Sequence, residues 1–356
     1  MYSSPANEQR TGQASGPLFV ISMWRSGSSL LYALLNKHPQ VGLMYEADLM
    51  LLRSVFRKPR GQRDWAARWE FWNHAFTRHG MDVEGFSTSR LDFGAAFESA
   101  HKEFARCKRA VIWGDKSPNY YDRLREMAET FPNARFIIVW RDPLATANSI
   151  LRAAQAGNSY FGRRGSVLRG LIGYGVYKEQ TNWLHAHARL VLELSYEDLV
   201  SNTASVMQDV CRFLNIDYSD DLASLEGADR SAIYAGEHHA LVKGNAIVAS
   251  ARPNVADQKL RAKIDRYVKF WKLRYSGQWP PFHRFEGIGV TPAGVLERAT
   301  DKVVYRVLRK WDAFSGFCFS LLPLSWLASF RHRKSRKSTA TVEIAQAVRP
   351  ASAKEA

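Results

Sequence analysis

The chain has 356 residues, 46% of them apolar and 12% aromatic, which allows a sizeable core, excludes general disorder and fits one large domain or two modest ones. Its three cysteines, Cys107, Cys211 and Cys318, lie far apart without a C-x-x-C pairing, which argues against a disulfide scaffold or a zinc site. Fifty Lys and Arg against 34 Asp and Glu give a net charge of +16, and half of that excess falls within residues 298–337, so the basic character belongs to one end of the chain.

Taken in chain order, residues 1–16 are polar and lack an apolar h-region, so a disordered leader is expected, with no secretory signal. A reducing, cytoplasmic compartment follows as the expectation. Leu18-Phe19-Val20-Ile21 is a short apolar run suited to a buried parallel strand. It leads through Arg25-Ser26-Gly27-Ser28-Ser29 into a helical run from Leu30 to Asn36, which must stop before Pro39. Residues 53–112 mix basic and aromatic groups, among them Arg53, Lys58, Trp65, Trp69 and Trp72, and read as helices inserted over a sheet. A second strand runs from Arg135 to Trp140, followed by Arg141-Asp142-Pro143 and a helix through Arg152. Residues 153–175, rich in Gly and Arg, read as a mobile loop. A third strand spans Arg189 to Leu194, and Tyr196-Glu197-Asp198-Leu199 opens a helix through Leu214. Residues 257–275 are helical, and the catalytic domain is expected to end near Phe285. Strands alternating with helices predict an α/β fold with a mostly parallel central sheet flanked by helices. Arg25 and Arg141 both fall at the carboxyl ends of strands, where such sheets bind ligands.

A small-residue turn between strand and helix presents backbone N–H groups at the positive end of the helix dipole, a ready anion cradle. Arg25-Ser26-Gly27-Ser28-Ser29 has that form: Gly27 permits close backbone approach, Ser28 and Ser29 add hydroxyls and Arg25 adds a cation. By itself it also fits a serine-rich turn with a surface arginine. It lacks the G-x-x-x-x-G-K-[ST] spacing of a nucleotide triphosphatase. Arg141 and Ser149, eight residues apart and about two helical turns distant, could grip a second phosphate; singly, they fit an arginine capping the sheet and a helical serine.

The two elements in this order resemble the sulfotransferases that use 3′-phosphoadenosine 5′-phosphosulfate (PAPS). The resemblance extends to Trp113-Gly114-Asp115-Lys116-Ser117-Pro118-Asn119-Tyr120-Tyr121, to Tyr196-Glu197-Asp198-Leu199 and, more weakly, to Lys243-Gly244-Asn245, where residue 246 is Ala and relatives often have Pro. It covers about residues 17–280 and implies a P-loop-like sulfotransferase fold. It also implies that Arg25, Ser26, Gly27, Ser28 and Ser29 hold the 5′-phosphosulfate, that Arg141 and Ser149 hold the 3′-phosphate, and that Gly244 and Asn245 join the cofactor site. The product would be 3′-phosphoadenosine 5′-phosphate (PAP).

Sulfuryl transfer needs a base for the acceptor proton and cations where charge builds on the sulfuryl oxygens and leaving phosphate. Glu46 lies 21 residues after Arg25, which matches the catalytic glutamate of the Glu-type members. Other members use a histidine; His101, beside Glu98, Lys102 and Glu103, reads as part of an exposed helix face, and His38 before Pro39 reads as a helix end. Lys116 would be the second active-site cation beside Arg25. No metal constellation appears in the sequence, and this reaction requires none. The acceptor is expected to be a hydroxyl or amine of a small molecule, glycan or glycolipid. Two other functions share part of the pattern. A nucleotide-binding, kinase-like enzyme would use the anion loop but need a Walker lysine and a magnesium-binding acid; Asp142 fits better as the loop residue before Pro143. A non-catalytic membrane- or nucleic-acid-binding protein would explain the basic end but leave both phosphate motifs unaccounted for.

The C-terminal region reads as an appendage. Val303, Val307 and Trp311, with Val304 and Leu308, fall at helical spacing opposite Lys302, Arg306, Arg309 and Lys310. Residues 313–330 hold no charge, at the lower limit of length for a spanning helix, and Gly316, Pro323 and four serines weaken that reading. Arg331, Arg333, Lys334, Arg336 and Lys337 close the segment. The expected division is a leader at 1–16, a catalytic domain at 17–285, a basic helical appendage at 286–337 and a disordered tail at 338–356. Residues 294–337 are expected to meet an anionic membrane surface, giving peripheral attachment on the inner face, with no nucleic-acid partner.

Overall fold

The computed structural model describes residues 16–52, 79–81, 93–155, 165–187, 190–233 and 244–247, with single positions 77, 242, 262, 299, 303, 306, 307, 310, 311 and 314. Five strands form one parallel sheet: β1 (Leu18–Ser22), β2 (Val41–Tyr45), β3 (Ile112–Lys116), β4 (Arg135–Trp140) and β5 (Val191–Ser195), in the order β2-β3-β1-β4-β5. The helices are α1 (Ser28–Leu35), α2 (Phe93–Cys107), α3 (Leu124–Thr130), α4 (Pro143–Gln155), α5 (Gly165–His187), α6 (Tyr196–Ser201) and α7 (Thr203–Leu214). The α/β class with a parallel, helix-flanked sheet is therefore as the sequence predicts.

Alternation along the strands sorts side chains into two cores. Phe19 and Ile21 of β1 and Phe136, Ile138 and Trp140 of β4 face one side, where Phe97 and Phe104 of α2 and Tyr174 and Tyr177 of α5 pack. Leu18, Val20, Ile137 and Val139 face the other, against Leu31 and Leu34 of α1 and Met207 and Val210 of α7. This is a three-layer arrangement, and strands covered on both faces carry continuous apolar runs.

Three expectations are corrected. β2 and β3, which were not expected as strands, form one half of the sheet, with Tyr45 opposite Lys116 and Val20 opposite Lys116 in register. The Gly- and Arg-rich stretch 153–175 is not a loop where it is described: α4 continues to Gln155 and α5 is helical from Gly165. Its glycines sit in a helix because Tyr174, Tyr177, Thr181 and Leu184 bury one face against the sheet, and that packing outweighs the low helical preference of glycine. The helix after β5 is two helices, parted at Asn202, whose backbone N–H ends α6 on Asp198 O while its own carbonyl starts α7. Within the insert at 53–112, α2 is a helix as expected; residues 53–76 and 82–92, the helical stretch at 257–275 apart from position 262, and the boundary near Phe285 lie outside the described residues.

Candidate functional site

The turn after β1 builds an anion cradle from local geometry. Arg25 takes a left-handed φ of 65° and Gly27 one of 87°, and α1 starts at Ser28 with no acidic residue in its first turn and no side-chain cap. The positive end of the helix thus has no acidic side chain of its own first turn to neutralise it. Gly27 is demanded twice over, by its φ and by Tyr196: a Cβ there would stand 2.0 Å from Tyr196 Cδ2. Ser22 Oγ donates to Ser28 Oγ at 2.7 Å, tying the strand end to the helix start.

The two phosphate motifs meet. Arg25 Nε donates to Ser149 Oγ of α4 at 3.1 Å, and Arg141 Nη1 donates to the Arg25 carbonyl oxygen at 2.7 Å. The Arg141 guanidinium also lies over the Tyr196 ring, 4.3 Å from its centroid. Its Nε and Ser26 Oγ are buried polar atoms without a hydrogen-bond partner. Burial pushes both guanidinium groups below the usual arginine value, and for Arg25 the repulsion of Arg141 adds to it. Desolvated cations side by side, with orphaned donors among them, suit a polyanionic ligand.

Lys116 and Glu46 form the second half. Lys116, at the end of β3, is 1% exposed; its Nζ donates to Glu46 Oε1 at 2.7 Å and to Ser29 Oγ at 3.2 Å, and lies 4.2 Å from the centre of the Tyr45 ring. Ser29 Oγ and the Tyr45 hydroxyl are 2.8 Å apart. Burial pushes the Lys116 ammonium below the usual lysine value, with Glu46 acting against that. Glu46 arrives because its N–H donates to the Lys116 carbonyl at 2.7 Å, one step past the Tyr45–Lys116 register pair, and it adopts a left-handed φ of 48°. The base candidate, the lysine and a serine of the anion loop therefore stand in one hydrogen-bonded group.

Residues of the 113–121 segment, together with Asp48 and Met50, which the sequence did not single out, hold this group in shape. Asp115 Oδ2 accepts from the Tyr120 hydroxyl at 2.7 Å, and Tyr120 in turn accepts from Met50 N. Asp48, with a φ of 59°, accepts from Ser117 Oγ at 2.6 Å and from Asn119 Nδ2 at 3.1 Å, while Asn119 Oδ1 accepts from Trp24 Nε1 at 3.0 Å. The chain Trp24–Asn119–Asp48–Ser117 thus links the anion loop to the loop that carries Glu46. Acidic residues between apolar runs were the available signal; their burial was not readable.

His101 is corrected. It is fully buried, not on an exposed helix face, stacked on Phe97 at 3.8 Å between ring centres, with Nδ1 2.8 Å from the Phe97 carbonyl and Nε2 3.9 Å from Asp115 Oδ2. The helical period puts it with Phe97, Ala100 and Phe104, while Lys102 faces out. His38 follows the end of α1, as expected, with Nε2 3.0 Å from the Asp217 carbonyl. Gly244 and Asn245 are exposed, and their hydrogen-bond partner is Arg230, not a member of either phosphate motif. Among the described residues no group of three His, Cys, Asp or Glu is placed to hold a metal.

Comparison with known proteins gives the following. Protein-tyrosine sulfotransferase A of Caenorhabditis elegans is 23% identical over 260 residues, which span 71% of this chain and 60% of that protein. The chain thus matches less than two thirds of the length of this curated relative. Among solved structures, the sulfotransferase domain of the Synechococcus olefin synthase aligns with a TM-score of 0.48 and 19% identity over 76% of this chain and 98% of that one. A mouse sulfotransferase solved with PAP aligns with a TM-score of 0.39 and 14% identity, over 73% and 85% of the two chains. The model of the Sulfotransferase family matches residues 17–220, more than half of the 356-residue chain and the span that holds Arg25, Glu46, Lys116, Arg141 and Ser149, and on that match the chain belongs to the Sulfotransferase family.

Proposed function

We propose that the protein transfers a sulfuryl group from PAPS to a hydroxyl or amine acceptor, with Glu46 as general base and Arg25 and Lys116 as the stabilising cations. The observation that carries this reading is Lys116 Nζ, within hydrogen-bond reach of Glu46 Oε1 on one side and Ser29 Oγ of the anion loop on the other. A base, a cation and an anion cradle in contact are what an in-line displacement at a charged centre needs.

The donor fits the residues present. The uncapped start of α1, with Ser28 and Ser29, would hold its 5′ end, and the unpartnered Arg141 Nε and the Ser149 hydroxyl would hold its 3′-phosphate. When bound, PAPS supplies the sulfuryl group: the acceptor oxygen or nitrogen bonds to sulfur, the bond to the bridging oxygen breaks and its electron pair leaves on PAP. Glu46 takes the acceptor proton. Lys116 and Arg25 would meet the charge that builds on the sulfuryl oxygens and the leaving phosphate, Lys116 by exchanging its contacts with Glu46 and Ser29, and Arg25 by exchanging its contact with Ser149. Charge-assisted contacts of this kind in a desolvated site contribute more than they would in water.

The test is Glu46→Gln, which keeps shape but cannot accept the proton. With sulfur-labelled PAPS and extracted acceptors, turnover should fall by about 100-fold or more while retention on PAP-agarose persists. Turnover close to that of the parent would remove Glu46 as the base. Retention on ATP-agarose but not on PAP-agarose would favour the kinase-like alternative.

A further inference from the structure

Six large apolar side chains are exposed among the described residues, and four of them stand at helical positions within twelve residues of sequence: Val303 (60% exposed), Val307 (59%), Trp311 (64%) and Phe314 (58%). They follow the i, i+4, i+8, i+11 pattern of a single helix face, and the Trp311 and Phe314 rings are 6.2 Å apart. Arg306 and Lys310, also helical and exposed, border that stripe on its Val303 side by their spacing and do not stand opposite it as expected. By sequence, Lys302 and Arg309 continue the basic edge, and Arg331, Arg333, Lys334, Arg336 and Lys337 add a second basic group. A contiguous exposed apolar stripe marks an interaction surface.

We propose that the helical positions 303, 306, 307, 310, 311 and 314 lie in the headgroup region of an anionic lipid bilayer, with Val303, Val307, Trp311 and Phe314 inserted and Arg306 and Lys310 at the level of the phosphates. The charge selects this occupant. A second copy of the chain would set like-charged edges against each other, whereas an anionic bilayer complements both the apolar stripe and its basic rim. Nucleic acid would leave the stripe without a partner, since a duplex presents phosphates and not hydrocarbon. No helix among the described residues is long and apolar enough to cross a membrane.

The experiment is flotation of the full-length protein with vesicles of phosphatidylcholine, with and without phosphatidylglycerol, at low and high salt. PAP-agarose retention and the solution mass are measured on every variant. Flotation is expected only with the anionic vesicles at low salt. Arg306→Glu with Lys310→Glu, and separately Trp311→Glu, should each lower the bound fraction by about tenfold or more while PAP retention stays at the parental level. Four outcomes overturn the proposal: no flotation of the parent protein, equal flotation with neutral vesicles, flotation undiminished by Trp311→Glu, or a dimer that Trp311→Glu dissociates in the absence of flotation. Binding of duplex DNA without flotation would likewise overturn it and assign the basic segment to nucleic acid. Loss of PAP retention in the parent protein would count against the sulfotransferase reading and leave the membrane result to be read by itself.

Discussion

Arg141 is held by its Nη1 bond to the Arg25 carbonyl and by the Tyr196 ring beneath it, and its Nε is left without a partner. If that nitrogen meets the 3′-phosphate, Arg141→Ala removes a charge-assisted contact of about 1.5–3 kcal/mol. PAP affinity should then fall by roughly 10- to 100-fold, with a smaller loss for adenosine 5′-phosphosulfate, which lacks that phosphate. Calorimetric titration of both ligands separates the cases: equal losses would mean that Arg141 acts only by holding the Arg25 turn. Lys116 gives a pH signature. Burial pushes its ammonium below the ordinary 10.5, so PAP affinity should decline with rising pH before that value is reached. Stability should move the other way. Between the folded and ordinary values the unfolded chain binds the extra proton, so the Lys116 contribution to stability rises with pH as its buried charge is lost. Lys116→Arg keeps the charge and should flatten the decline in affinity, as read by PAP titrations from neutral to alkaline pH.

At the level of elements, the site is two loops bound together by buried hydrogen bonds, and Asp48 is the point at which they join. Asp48→Ala would leave the Ser117 hydroxyl and the Asn119 amide without their acceptor and release Trp24 from its indirect tie to the base loop. An unsatisfied buried group costs about 1–3 kcal/mol, so a lower urea midpoint is expected, with turnover reduced more than PAP affinity. The same contacts explain what the sequence made legible. β1 and β4 read as strands because their apolar residues run on without interruption, and β5 because Val191, Leu192 and Leu194 leave only Glu193 between them. β3 did not, because Asp115 and Lys116 end it; those charges are buried through partners, Tyr120 and Glu46, that come from elsewhere in the chain. β2 was obscured by Gly42, at which a Cβ would stand 2.8 Å from Ala105 Cα of the crossing α2 helix. His101 misled for the opposite reason: its neighbours in sequence are charged, while its neighbours in space are Phe97 and Asp115. Arg25, Arg141 and Ser149 were legible as two anion motifs, but that Arg25 reaches Ser149 across 124 positions was not a property of either motif.

Across the whole molecule, the sheet order β2-β3-β1-β4-β5 places β1 at the centre, with the chain laying β2 and β3 to one side before β4 and β5 to the other. Ligands in open α/β sheets sit at the carboxyl ends of strands where the order reverses, and Arg25, Glu46, Lys116 and Arg141 follow or end β1, β2, β3 and β4 there. α5 fastens this edge from one face: the Tyr177 hydroxyl donates to the Ile21 carbonyl and the Tyr174 hydroxyl to the Arg141 carbonyl. The fold thus converges three desolvated cations, Lys116 among them in its salt bridge to Glu46, and a bound polyanion would offset the cost of that desolvation in the folded state alone. Ligand at 100 times its dissociation constant stabilises by about 2.7 kcal/mol, which for a chain of this size raises the melting temperature by roughly 5 °C. PAP should therefore shift the thermal transition by that order, adenosine at the same concentration by much less, and added salt should shrink the PAP shift. Arg25→Ala should reduce the PAP shift while raising or sparing the melting temperature without ligand, because it removes the repulsion with Arg141. Differential scanning fluorimetry of the parent and this variant reads both quantities, and a variant that melts well below the parent without ligand yet keeps the full PAP shift would show that Arg25 serves the fold and not the ligand.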